Sequence, residues 1–177
     1  MAIIGCRYDP DPRSIRGAMD GAARAIEAND GKRLFRYIDQ RAQHALGGIV
    51  AARTAARKLI ERDYPPSDRG TAIAALGDGA NFPSGAALFA SRCNEHCMQR
   101  IGSKLGAPLE EQPAGDEVAV RTSRGATLNV FSGSHGWYGI VWRSQALSDE
   151  RDRASRELRQ VEQNAAIYRK RRALAPP

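Results

Sequence analysis

Two kinds of hydrophobic pattern divide this chain. From Asp116 to Arg143 apolar and polar residues alternate; on either side of that stretch apolar residues recur every three or four positions. In the alternating stretch Val118, Val120 and Thr122 interleave with Ala119 and Arg121, and Leu128 and Val130 with Thr127, Asn129 and Phe131. Tyr138, Ile140 and Trp142 then interleave with Trp137, Gly139 and Val141. Three runs of period two separated by Gly-bearing turns predict an antiparallel meander. The turn at Ser123-Arg124-Gly125 is tight and that from Ser132 to Gly136 looser. Ala107 to Gln112 reads as an additional edge strand, with Pro108 at its start, where the missing N–H does no harm. Gly139 inside the last run predicts a bulge, a bend, or the close approach of another backbone.

The flanks read as helix. Ser14 is placed as an N-cap, and Ile15, Met19, Ala22 and Ile26 share one face of the helix that follows. Asn29-Asp30-Gly31 ends that helix with residues tolerant of left-handed geometry, and Leu34, Phe35 and Ile38 form a short helical knot. Asp39 is placed to cap a helix running to about Asp63, whose buried face is Ala42, Leu46, Ile49, Ala52, Ala56 and Leu59 or Ile60. Gly47-Gly48 weakens it by about 1 kcal/mol per glycine, and Tyr64-Pro65-Pro66 stops it. Ser67 to Gly79 predicts a short helix and a turn. A single helix is expected from Ser84 to about Leu105, on the four-residue spacing of Phe89, Cys93, Cys97 and Ile101. After the meander, Ser148 predicts the cap of a long helix to about Arg172. Asp149, Glu150 and Asp152 fall in its first turn and Arg169-Lys170-Arg171-Arg172 at its end, the favourable sense for the helix dipole. The expected fold is α+β: N-terminal helices packed on a curved antiparallel meander of three to four strands, plus a long C-terminal helix.

The 177 residues suit one core, and an apolar share of 42% is enough to fill it. The division expected is a tether over residues 1–13, one domain over 14–172 and a frayed tail over 173–177. The formal net charge of +7 raises the question of an anionic partner. Only four of the 27 basic residues are lysine, which points to GC-rich coding as much as to function. A basic total without a docking motif argues against nucleic acid. No apolar run approaches the roughly 20 residues needed to span a bilayer.

Ile3-Ile4-Gly5-Cys6 resembles the lipobox of bacterial lipoproteins: an aliphatic residue, a variable one, a small one, then the cysteine that becomes acylated. Only five residues precede Cys6, so the basic and apolar leader that such a signal needs would lie upstream or have been trimmed. Arg7 to Arg13, with its two prolines and four charges, would then be an extended tether. The order of helices followed by the run GDEVAVRTSRGATLNVF…GWYGIVWR resembles the α+β cone of the NTF2-like (SnoaL-like) superfamily in small secreted or lipid-anchored bacterial proteins. The likeness runs from Ser14 to Arg143. It implies a central pocket, for which Phe35, Tyr37, Trp137, Tyr138 and Trp142 are the candidate lining. The long basic C-terminal helix departs from that pattern.

Cys93-Asn94-Glu95-His96-Cys97 is the most chemical cluster. A structural zinc site needs four ligands and there is no second Cys/His pair, so no metal is expected. On one regular helix Cys93 and Cys97 share a face and read as packed thiols; a disulfide is the alternative if the helix breaks. His44, His96 and His135 have no nucleophile or carboxylate at a telling spacing. NTF2-like enzymes use an Asp or His base, for which Asp39 and His44 are the nearest candidates, but no residue match singles either out. Gly77-Asp78-Gly79 lacks the Lys-Ser/Thr of a phosphate loop. No catalytic set and no cofactor is expected. The expectation is a non-catalytic envelope protein facing the periplasm, anchored in the membrane through Cys6 and binding a protein partner or small apolar ligand. The alternative is a cytoplasmic basic adaptor that meets nucleic acid through Arg151, Arg153, Arg156, Arg159 and the basic helix end. Acidic residues interleave with those arginines, as on a solvated ion-paired face.

Overall fold

The computed structural model describes residues 10–174. The fold is α+β: helices come first, then a four-stranded antiparallel open sheet whose strands neighbour one another in chain order, then a long helix. The chain forms two compact units. One takes the described residues through Gln40 together with Ala90–Trp142; the other takes Arg41–Phe89 and the described residues from Arg143 on.

The first unit opens with α1 (Ile15–Glu27), capped by Ser14, whose Oγ accepts from the Gly17 N–H at 3.0 Å. Its buried face is Ile15, Ala18, Met19, Gly21, Ala22 and Ala25. Asn29, at φ 50°, ends it in the left-handed region, as its side chain permits. Asp30 then caps α2 (Gly31–Leu34), and a 3₁₀ turn over Phe35–Tyr37 follows. Glycine is required at position 21, because a Cβ there would run into the Tyr37 ring.

Strands β1 (Pro108–Ala114), β2 (Glu117–Thr122), β3 (Thr127–Ser132) and β4 (Tyr138–Ile140) form a meander. β3 and the end of β2 alternate as the sequence predicts, whereas the last strand is shorter than expected, stopping at Ile140 with Gly139 and Ile140 both buried. Val118 faces Val130, which faces Ile140, and Val120 faces Leu128. Val120, Thr122, Leu128, Val130, Ile140 and Trp142 are buried, while Arg121, Thr127 and Asn129 are exposed. β1 runs two residues beyond the predicted Gln112, and six of its seven residues are exposed, so it is the unburied edge. At the other edge, Gly139 answers the sequence's question. A Cβ there would lie 2.6 Å from the Asp39 Cα and 2.7 Å from the Ile38 carbonyl carbon, so glycine admits a second backbone. Ile38 bridges Ile140 in parallel, and the Asp39 N–H donates to the Ile140 carbonyl at 3.0 Å. The expected free tether is docked from Pro10 onward. Pro10 is buried, and the Pro12 carbonyl accepts from the Tyr138 N–H at 2.8 Å.

The second unit contains α3 beyond its first residue (Gln40–Asp63), α4 (Pro66–Ala75) and most of α5 (Gly85–Arg92). α3 runs through Gly47-Gly48 to the predicted stop. The two glycines mark close approaches. A Cβ on Gly85 would lie 2.8 Å from the Gly47 amide nitrogen, and one on Gly48 would meet the Arg151 stem at 2.9 Å. Ala56, Ile60, Tyr64, Leu76, Ala80, Val161 and Ala165 form one apolar cluster of its interior.

Two helix boundaries differ from the sequence expectation. The helix expected from Ser84 to Leu105 breaks after Arg92, and α6 (Glu95–Gly102) starts anew with Asn94 as its cap, accepting from the Cys97 N–H at 3.1 Å. A four-residue apolar repeat cannot register that break, because the cap replaces the backbone bond it interrupts. The last helix, α7 (Ser144–Leu174), begins four residues before the predicted Ser148, and its first turn carries no acid. Arg143 at φ 53° starts it, its carbonyl accepting from the Leu147 N–H.

Candidate functional site

The sequence-derived sites are scattered. Cys6 lies outside the described residues. Of the five aromatic residues expected to line a pocket, Tyr37 and Trp142 are buried, Phe35 and Tyr138 are partly buried, and Trp137 is exposed. Tyr37 packs against the backbone of α1 at Gly21, and Trp142 is held by the Asp39 carboxylate. The cleft described below is lined by none of the five. His44, His96 and His135 are all exposed. Asp39, the nearest candidate for a base, is fully buried and accepts from the Trp142 N–H at 3.1 Å. Among the described residues no group of three His, Cys, Asp or Glu is placed to hold a metal ion, and no helix is long and apolar enough to cross a membrane.

Cys93 and Cys97 form a disulfide, with Cα atoms 5.0 Å apart. Residues four apart on a regular helix sit about 6 Å apart. The break at Asn94 closes that gap, so the cap and the bond depend on each other. Cys93 is fully buried and Cys97 partly exposed.

A second site lies where α3 ends, within the second unit. Asp63, Tyr64, Pro65, Pro66, Arg69, Tyr168, Arg171 and Arg172 line a cleft of about 480 Å³. Tyr64-Pro65-Pro66 stops α3 and leaves its last carbonyls without intrahelical partners. Side chains supply them. Arg69 Nε donates to the Tyr64 carbonyl at 2.9 Å, and Arg172 Nη2 to the Asp63 carbonyl at 2.9 Å. The two tyrosine rings stand in tilted contact, with centroids 4.8 Å apart and an interplanar angle of 57°. Tyr168 also reaches α4, its hydroxyl donating to Asp68 Oδ2 at 3.2 Å.

The charges here are arranged around one buried carboxylate. Asp63, only 4% exposed, accepts from Arg62 at 2.8 Å and has Arg169 at 3.8 Å. The Arg62 hydrogen bond holds the Asp63 carboxyl below the usual carboxylate range; burial opposes this, and the charges of Arg62, Arg169 and Arg172 reinforce it. Arg62 is raised in return, first by that same hydrogen bond. The bond to Asp68 and burial raise the Tyr168 hydroxyl, against a smaller opposing effect from Arg171. With Asp63 already neutralised by Arg62, the lining presents the guanidiniums of Arg69, Arg171 and Arg172 over an aromatic and proline surface.

No protein-family model, curated protein or solved structure matches the chain.

The sequence carried each part of this cleft under another description. Tyr64-Pro65-Pro66 is a helix stop, Tyr168 one position on an apolar stripe, and Arg171-Arg172 a cationic helix end. What unites them is a contact between positions 63 and 172, which no local pattern records.

Proposed function

We propose that the chain is a non-catalytic binding protein of the bacterial cell envelope, facing an oxidising periplasm and tied to the membrane through Cys6. The observation that carries this reading is the Cys93–Cys97 disulfide, since such bonds persist outside the reducing cytoplasm. With both remaining cysteines paired, Cys6 is the one thiol left for acylation, which suits the lipobox-like Ile3-Ile4-Gly5-Cys6. An NTF2-like ancestry draws its support from the order of helices before an antiparallel meander. The binding role draws on the cleft at the end of α3, where the one lining carboxylate is already engaged by Arg62.

The test is expression from the natural reading frame with its upstream sequence, followed by fractionation and intact mass with and without reductant. The expected result is a membrane-fraction protein whose mass includes acyl chains and rises by two hydrogens on reduction. A cytoplasmic protein with both thiols free overturns the reading.

The exposed row of Arg153, Arg156 and Arg159 on α7 favours the second reading, a basic adaptor for nucleic acid. Binding would then weaken steeply with salt. The absence of any gel shift on DNA or RNA at low salt removes that option.

A further inference from the structure

We propose that the cleft between Tyr64, Pro65 and Tyr168 binds a small aromatic anion, a phosphate or carboxylate joined to one flat ring, with the charge held by Arg69, Arg171 and Arg172. This builds on the binding role proposed above and is independent of the compartment.

Three observations converge on this ligand class. The first is size: about 480 Å³ lies within the 300–1,000 Å³ typical of small-ligand sites. The second is the division of the lining. Tyr64, Tyr168, Pro65 and Pro66 give a rigid apolar wall suited to one face of a ring. The guanidiniums give charge-assisted donors whose planar geometry matches an oxyanion. The third is preorganisation. Arg69 and Arg172 are each held to a backbone carbonyl through one nitrogen, which leaves further N–H groups on each fork. A guanidinium that is already held loses less freedom on binding.

The competing account is that these arginines only satisfy the carbonyls at the end of α3. That explains Arg69 and Arg172 but leaves out Arg171. Arg171 is exposed, lines the cleft, and makes no hydrogen bond or ion pair among the described residues. It therefore separates binding from capping. Electrostatics also favour an anion over a cation or a neutral ring. Three guanidiniums face one carboxylate in the lining, and that carboxylate is bonded to Arg62.

The experiment titrates the purified full chain with phenyl phosphate, inorganic phosphate and phenol, following the Tyr64 and Tyr168 ring resonances by NMR. Phenyl phosphate is expected to saturate and to shift both rings. Inorganic phosphate and phenol, each carrying half of the recognition, are expected to bind more weakly. Arg171→Glu, with Arg171→Gln as the milder variant, is expected to weaken phenyl phosphate by at least about tenfold, the loss of one charge-assisted contact, while the thermal midpoint holds. Tyr168→Ala is expected to remove the preference for phenyl phosphate over inorganic phosphate. The proposal is overturned if phenyl phosphate shows no saturation, if both Arg171 variants bind it as well as the parent chain, or if inorganic phosphate matches it. Any of these results leaves the fractionation and mass experiments standing on their own.

Discussion

The backbone N–H of Trp142 donates to the buried Asp39 carboxylate at 3.1 Å, across 103 positions of sequence. With the bond from the Asp39 N–H to the Ile140 carbonyl, it lays the segment before α3 along β4 and covers that sheet edge. Gly139 makes the approach possible. Gly139→Ala is expected to cost about 1–3 kcal/mol, because its Cβ would meet backbone that cannot give way. Asp39→Ala should cost about 1–3 kcal/mol by stranding a buried donor, and Asp39→Asn, which keeps an acceptor, should cost less. Urea denaturation of the three variants checks the order.

The Gly47–Gly85 approach gives two substitutions of opposite sign. A Cβ on Gly85 would meet the backbone of α3, so Gly85→Ala should destabilise by about 1–3 kcal/mol. A Cβ on Gly47 meets nothing within 4 Å, so Gly47→Ala should stabilise by up to about 1 kcal/mol through helix propensity alone. Thermal midpoints moving in the same direction would contradict this geometry.

Arg53 is buried in the second unit, with Glu150 at 2.9 Å, Glu157 at 3.5 Å and Asp78 at 3.6 Å. Removing the cation takes the closest counter-charge from Glu150, the most buried of the three, while Glu157 and Asp78 stay partly solvated, so Arg53→Leu should cost about 3 kcal/mol. The double variant Arg53→Leu with Glu150→Leu should be less damaging than the sum of the singles, because both changes act on the same ion pair. A double-mutant cycle in urea reads the coupling directly.

Reduction of Cys93–Cys97 should lower stability by about 2 kcal/mol, since the loop it closes is short. Asn94→Ala removes the cap that starts α6 and should cost about 1 kcal/mol. It also favours a continuous helix, which draws the sulfurs apart, so the disulfide in that variant should be easier to reduce. Titration against a dithiol buffer compares the two proteins.

The two shifted groups at the cleft act at opposite ends of the pH scale. Asp63 has its folded-state pKa depressed, so the stability it contributes is present above the unfolded carboxylate value of about 4 and is lost as pH falls through the lower folded value. Arg62→Gln should therefore lower stability at neutral pH and converge with the parent chain in acid. Tyr168 has its folded-state pKa raised, so its contribution is present below about pH 10 and is lost as pH rises through the higher folded value. Its phenolate absorbance should appear at higher pH than in Asp68→Asn. Unfolding free energy against pH and difference absorbance check the two signs.

Much of the fold is readable in the residue order because its causes are local. Val120, Leu128, Val130 and Ile140 turn inward because a strand alternates its side chains, and Ser14 caps α1 because its oxygen reaches an amide three residues on. Ser148 misleads for the same reason. Ser-Asp-Glu is the local signature of a helix start, yet left-handed Arg143 had already begun the helix five residues earlier. The break at Cys93-Asn94 is also invisible to periodicity, because the apolar spacing continues through it.

The sequence by itself determined the order of helices and strands along the chain, though not every boundary, since that order depends on neighbours a few residues apart. Only the tertiary structure decided that Ile38-Asp39 lies against Gly139, that Arg53 is enclosed by carboxylates, and that Tyr64 and Tyr168 share one cleft with three arginines. Each joins residues far apart in the chain, and such contacts are set by chain packing, which the identity of either residue does not encode on its own.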